Sequence, residues 1–250
     1  MFCIKTYEAY QISQCVEALC RSVCCDLGAD VRACLAQAQQ CEDQPVAQEI
    51  LRQLRENALI AQETRIPLCQ DTGMVVVFAD VGQDAHITGG LLSDAVDEGV
   101  RRAYREGHFR ASVLSPLTRV NTHDNTPAVL HTRLVAGDQI TLTVAPKGFG
   151  SENMSRLAML TPAQGLAGAS DFIVDTVRIA GGNPCPPVVV GVGIGGTMEL
   201  ACLMAKRCLT RETGAPSHDP TLAALEETLL ARINALGIGP MGLGGRTTAL

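Results

Sequence analysis

The longest unbroken apolar stretch in the chain, Met74 to Ala79, constrains the fold more than any other feature. A Val-rich run of that length has the dimensions of one buried β-strand, and it falls far short of the roughly 18 residues that a membrane-crossing helix needs. The apolar residues are therefore expected to be buried inside a globule, with no membrane partner. Helical periodicity lies on both sides of the run. Val46, Ile50, Leu51, Leu54, Ala58 and Ala61 recur at three- and four-residue spacing and predict a helix from Pro45 to about Gln62, which Arg65-Ile66-Pro67 ends. Leu92, Val96, Val100, Ala103 and Tyr104 predict another within Gly89 to Glu106.

The rest of the chain continues this mixture. Glu8 to Cys25 and Ala29 to Gln40 read as helices, and Ala128 to Val135 with Gln139 to Ala145 read as a β-hairpin around Gly137-Asp138. Pro162 to Ile179 is predicted as a helix capped by Thr161, Pro187 to Val192 as a buried strand and Met198 to Leu209 as a helix. The last helix starts at Asp219-Pro220, carries a stripe of Leu222, Leu225, Leu229, Ile233 and Leu236, and ends at Gly237. No repeat or linker interrupts the pattern. The expected class is α+β, a single mixed domain over residues 1–250 with helices packed around small sheets.

Composition narrows the partners. The 250 residues are 46% hydrophobic and 18% charged, with a net charge of −6 and no Trp. That balance excludes a disordered chain and leaves no basic or aromatic footprint for nucleic acid. Met1 to Gln11 lack the basic and apolar regions of a secretory signal, so a cytoplasmic location is expected. Seven of the eleven cysteines (Cys3, Cys15, Cys20, Cys24, Cys25, Cys34 and Cys41) crowd residues 1–41, a cysteine-rich helical segment with no C-x-x-C spacing. Reduced thiols packed as small hydrophobes in helix cores are the expectation for them.

Several stretches carry chemistry. Gly191-Val192-Gly193-Ile194-Gly195-Gly196 matches a dinucleotide-binding turn literally, but no acidic residue follows at the end of a next strand. Just before it, Cys185 sits among Pro184, Pro186 and Pro187, which stiffen the loop and favour a ligand or reactive role. Cys69 has a similar setting, after Pro67 and beside Gln70, Asp71, Thr72 and Gly73. Lys147 to Asn153 form a polar glycine loop whose amides could hold a carboxylate, and Arg110 offers a planar fork for the same group. On residues alone, two further readings stay open: a nucleotide-binding oxidoreductase, from the glycine turn, and a non-catalytic thiol or metal-binding protein, from the cysteine count.

Taken in order, Ile66-Pro67-Leu68-Cys69-Gln70-Asp71-Thr72-Gly73, Asn125-Thr126-Pro127-Ala128, Lys147 to Asn153, and Cys185-Pro186-Pro187 with Gly195-Gly196-Thr197 resemble the iron-sulphur class I fumarate hydratases. The similarity is greatest to the separate alpha subunit of the two-subunit form, a group that includes L-tartrate dehydratase. It runs from about residue 45 to the end and leaves out the cysteine-rich first 41 residues. The resemblance implies a hydro-lyase of the tricarboxylic acid cycle that hydrates fumarate to malate, with L-tartrate dehydratase as the alternative. It implies a 4Fe-4S cluster with Cys69 and Cys185 as two of its three ligands. It also implies Gln70, Asp71, Arg110, Gly148 and Gly150 as substrate-binding residues, with Asp71 catalytic. The third cluster cysteine is expected beyond Leu250, which implies a C-terminally truncated sequence that is inactive by itself. A small dicarboxylate substrate and a beta subunit, joined in a hetero-tetramer, complete the partners implied.

Overall fold

A computed structural model describes residues 5–250, so Cys3 lies outside the described residues. In chain order the elements are β1 (Lys5–Glu8), α1 (Ala9–Cys25), α2 (Ala29–Cys41), α3 (Pro45–Thr64), β2 (Met74–Gly82), β3 (Ala85–Thr88), α4 (Leu92–Glu106), β4 (Val129–Val135), β5 (Ile140–Lys147), α5 (Phe149–Glu152), α6 (Gly165–Ala180), α7 (Met198–Cys208) and α8 (Pro220–Asn234). The α+β class expected from sequence holds: the chain combines helices with one three-stranded and one two-stranded sheet. The described chain divides into two compact units, residues 5–27 with 58–149 and residues 28–57 with 150–250.

In the first unit, β2 lies at the centre of the three-stranded sheet. Val75 to Ala79 are all buried, so this strand needs a partner along both edges. It takes β4 in parallel on one side, with Val77 opposite Leu130, and β5 antiparallel on the other, with Val77 opposite Val144. The hairpin expected from Gly137-Asp138 is therefore not formed, because β2 separates its two strands. The Gly137-Asp138 turn instead crosses the end of β2, where Gly82 N donates to Gln139 O (2.7 Å) and Asp84 N to Gly137 O (3.0 Å). One face of the sheet is covered by α1 and α4. Ile12, Val16 and Cys20 of α1 meet Val96, Val100 and Ala103 of α4 over Val75 and Val77.

The second unit is built around α6 and α8. Ile173, Val177, Leu229, Ile233 and Ala249 form its core, with Val188, Val190 and Val192 packed against them. Helix α8 starts as its sequence predicts, with Asp219 Oδ1 accepting from Thr221 N (2.8 Å) and Leu222 N (3.4 Å). The strand predicted over Pro187 to Val192 is reduced to a single parallel bridge between Val188 and Ala249. Pro184, Pro186 and Pro187 supply no amide donors ahead of it, and the glycines after it serve helix packing. A Cβ on Gly191 would come within 2.2 Å of Ala205 O, and one on Gly193 within 2.1 Å of Ala201 O, both on α7. The glycine fingerprint thus lets the backbone lie against a helix.

The glycine-rich segment after α8 is fixed from within this unit. Glu42, only 4% exposed, accepts from Asp43 N and Gln44 N (3.1 Å each) and from Arg246 N (2.8 Å). Asn234 Oδ1 accepts from Thr248 N (2.8 Å) and Ala249 N (2.9 Å), while the buried Thr248 hydroxyl accepts from Gly239 N (3.2 Å). No helix among the described residues is long and apolar enough to cross a membrane.

Candidate active site

The loop that carries Cys69 lies between α3 and β2 and is anchored at its entry. Leu68 N donates to Cys24 O (2.8 Å), Cys25 Sγ to Arg65 O (3.4 Å), and the Arg65 guanidinium grips both Asp26 carboxylate oxygens (2.8 and 2.9 Å). Beyond this anchor Cys69 and Gln70 are exposed and Asp71 is half-buried. The Cys69 sulphur accepts from Asp71 N at 3.4 Å.

The same loop abuts the end of β5, because the ladder sets Met74 opposite Lys147. Gly73 has φ +66°, and a Cβ there would meet Lys147 O at 2.1 Å. A Cβ on Gly148 would lie 2.9 Å from Asp71 Oδ2 and 3.0 Å from Asp71 O. Glycine at 73 and 148 is thus what lets the segment carrying Asp71 and the start of the Lys147 to Asn153 loop lie side by side.

A third segment joins them. Thr72, buried, donates its hydroxyl to Arg110 O (3.0 Å), and the buried Tyr104 hydroxyl reaches Thr72 O (2.9 Å) and Gly73 O (3.2 Å). Asn125, fully buried, accepts from Ser112 N (2.7 Å) and Val113 N (3.2 Å) with Oδ1 and donates Nδ2 to Gly73 O (3.0 Å). The Arg110 side chain itself is exposed and makes no ion pair or side-chain hydrogen bond among the described residues. A guanidinium on a fixed backbone, unpaired and facing solvent, is suited to grip a carboxylate.

Cys69, Gln70, Asp71, Gly148 and the Arg110 backbone are therefore assembled in the first unit. Cys185 and Gly150 belong to the second. Cys185 is exposed at φ +56° and donates its amide to Gly182 O (3.0 Å), while the following Pro186 is buried and accepts from Met241 N (2.7 Å). The proline-stiffened turn holds this thiol outward.

The remaining cysteines divide by burial. Cys20, Cys24 and Cys25 are core residues, as expected for small hydrophobes. Burial pushes the Cys20 and Cys24 thiols up to about 12, so they stay protonated and unsuited to metal binding. Cys15 and Cys41 are exposed instead and fill no core. Among the described residues no group of three or more His, Cys, Asp or Glu side chains is placed to hold a metal ion. The donor chemistry at Cys69 and Cys185 nonetheless suits an iron-sulphur group: soft thiols on loops, both accessible, one already facing an amide.

Sequence reasoning missed the part played by Asn125 and Tyr104. Asn125 lies in a polar stretch, and the only local sign of its special position is that asparagine tolerates the φ of +60° it adopts before Thr126 and Pro127.

The family model described as fumarate hydratase (fumerase) matches residues 13–250. The chain belongs to this hydro-lyase family. Among curated relatives, it is 41% identical over 246 residues to a protein named putative L(+)-tartrate dehydratase subunit alpha from Methanocaldococcus jannaschii, covering 96% of this chain and 86% of that one. It is 30% identical over 225 residues to the L(+)-tartrate dehydratase subunit alpha of Escherichia coli strain K12, covering 88% and 74%. The match corrects one expectation. It begins at residue 13, so most of the cysteine-rich N-terminal segment belongs to the family domain, consistent with α1 supplying part of the first unit's core.

Proposed function

We propose that the chain is the alpha subunit of a cytoplasmic 4Fe-4S hydro-lyase that reversibly adds water to fumarate to give malate, with residues 1–250 acting as one alpha-type domain. The observation that carries the reading is the Cys69–Gly73 loop, where the thiol, its amide donor and the Asp71 carboxylate lie against Gly148 and are tied to the Arg110 backbone. Cys69 and Cys185 would be two of the thiolates that hold the cluster. When bound, a cluster with one open iron supplies Lewis acidity toward the hydroxyl oxygen of the substrate.

The protein's own groups do the rest. Arg110 grips one carboxylate of the substrate through two parallel hydrogen bonds. Gln70 orients the bound acid, and Asp71 moves the proton at the departing or arriving hydroxyl. Gly148 and Gly150 let backbone amides approach the substrate where a side chain would block it. The base that removes the carbon-bound proton would come from a beta subunit, joined with this chain in a hetero-tetramer.

A second reading, L(+)-tartrate as the substrate, is favoured by the names of the relatives. Tartrate differs from malate by one hydroxyl and presents the same two carboxylates to the site. Assays of the complete alpha-beta enzyme with malate and with L(+)-tartrate decide between them. Fumarate formation, followed by its ultraviolet absorbance, is expected; oxaloacetate from tartrate with no fumarate from malate selects the second reading. The cluster assignment has its own test in differential alkylation. Anaerobic loading with iron and sulphide is expected to protect Cys69 and Cys185, and equal reactivity with the exposed Cys15, Cys41 and Cys202 would refute it.

A further inference from the structure

The segment that carries Arg110 has its backbone groups claimed one after another, by the buried Thr72 and Asn125, the half-buried Asn121 and the exposed Thr122. Arg110 O accepts from Thr72 Oγ1 (3.0 Å), Ala111 O from Asn121 Nδ2 (3.0 Å), and Val113 O from Thr122 N (3.0 Å) and Oγ1 (3.2 Å). The amides of Ser112 and Val113 both point at Asn125 Oδ1, at 2.7 and 3.2 Å. The other end of that same side chain donates to Gly73 O at 3.0 Å. Asn125 is 0% exposed, so all three bonds are shielded from water.

An asparagine amide is rigid and planar, with donor and acceptor held a fixed distance apart. Its two ends here bridge segments distant in sequence, one running on from Arg110 and the other closing the loop of Cys69, Gln70 and Asp71. We propose that Asn125 is a positioning residue for Arg110: with Thr72 as the second tie, it sets the guanidinium in register with Gln70 and Asp71 so that one dicarboxylate can reach all three. Among the described residues no hydrogen bond or ion pair holds the Arg110 guanidinium, so its position is inherited from this backbone clamp. The inference rests on the reading of Arg110 as the carboxylate-binding group.

The test uses the complete alpha-beta enzyme loaded with its cluster. Asn125→Asp keeps the acceptor for Ser112 and Val113 but sets an oxygen against Gly73 O, severing only the tie to the Cys69 loop. Thr72→Val keeps the side-chain shape and removes the bond to Arg110 O, so it decides the matter if the first variant does not fold. Each is expected to raise KM for the dicarboxylate about five- to tenfold, the scale of one lost hydrogen bond, with less change in kcat and unchanged iron content. Binding of succinate, a non-reacting dicarboxylate, should weaken in parallel by calorimetry. In an Arg110→Ala background the same substitutions should leave KM and succinate affinity where Arg110→Ala alone puts them. Equal effects in both backgrounds, or no effect in either, overturn the proposal. If Arg110→Ala alone changes neither quantity, the assignment of Arg110 fails, and the inference falls with it for that distinct reason.

Discussion

Replacing Gly73 by alanine is the most direct probe of how the site loop is seated. Two penalties act at this position. With φ at +66°, any L-residue is in the left-handed region, which costs about 1–2 kcal/mol. The new Cβ would also lie 2.1 Å from Lys147 O, 2.3 Å from Lys147 C and 2.5 Å from Gly148 N, all backbone atoms. Carbon and oxygen pack no closer than about 3.3 Å, so the strands must part by roughly 1 Å. Lys147 cannot yield easily because it is paired with Met74 at the end of the β2–β5 ladder. Overpacking of this kind costs about 1–3 kcal/mol, and the stiffer unfolded chain returns at most about 1 kcal/mol. A net loss of about 1–5 kcal/mol is expected. Gly237 supplies the matched control: its φ is +65° and no atom lies within 4 Å of a Cβ built there. Gly237→Ala should therefore cost only the conformational part, about 0–1.5 kcal/mol. Urea unfolding of the two variants beside the parent chain gives both numbers. Equal losses for Gly73→Ala and Gly237→Ala would refute the claim that close contact with the Lys147 backbone fixes the loop.

Glu42→Ala would strand three amide donors that now share one buried carboxylate, and it should lower stability by about 2–4 kcal/mol; limited proteolysis is expected to cut the 237–246 loop faster, with Glu42→Gln intermediate. Burial pushes the Asp124 carboxyl up, but hydrogen bonds from Arg101 and Thr126 outweigh it and hold the group at about 2. A carboxylate depressed in the folded state stabilises it above the unfolded value near 4 and loses that contribution as pH falls through the folded value. The urea midpoint should accordingly fall between pH 4 and pH 2, and more steeply than in Asp124→Asn; parallel curves for the two would exclude the effect. The chain supplied with iron and sulphide but no beta subunit should form no fumarate from malate, since the proposed carbon base is on the partner, and measurable turnover would place that base here.

The helices were legible because their signals are local. Asp219 and Pro220 mark the start of α8 and Gly237 its end within a few residues of the observed positions. The strand β2 was equally plain from its run of valines. Its neighbours were not, because the turn chemistry of Gly137-Asp138 is compatible both with a hairpin and with a connection that reaches over a third strand. At the site, glycine and cysteine positions stood out as residue types, so the Cys69 loop and Cys185 were found from sequence. In the sequence Asn125 stands out only as part of the Asn125-Thr126-Pro127-Ala128 motif. It is one polar residue among Asn121, Thr122, His123, Asp124 and Thr126, and nothing local says that it alone is wholly buried. Its hydrogen-bond partners, Gly73 O and the amides of Ser112 and Val113, lie outside the motif, and no window of neighbouring residues reports them.

The central place of β2 also shapes the order in which the protein is made. Met74–Gly82 leaves the ribosome well before either of its partners, and about 65 further residues must follow before Lys147 completes the second ladder. At synthesis rates of about 5–20 residues per second, the most apolar segment of the chain waits with at least one edge unpaired for roughly 3–13 seconds. During that interval α1 and α4, both already made or emerging, can shelter its Val75 and Val77 side chains. The first unit becomes complete once Phe149 is out, whereas residues 28–57 of the second stay without most of their partners until translation has passed through the glycine-rich segment near residue 245. Nascent-chain handling by chaperones is therefore expected to be needed twice, early over β2 and later over α2 and the first part of α3.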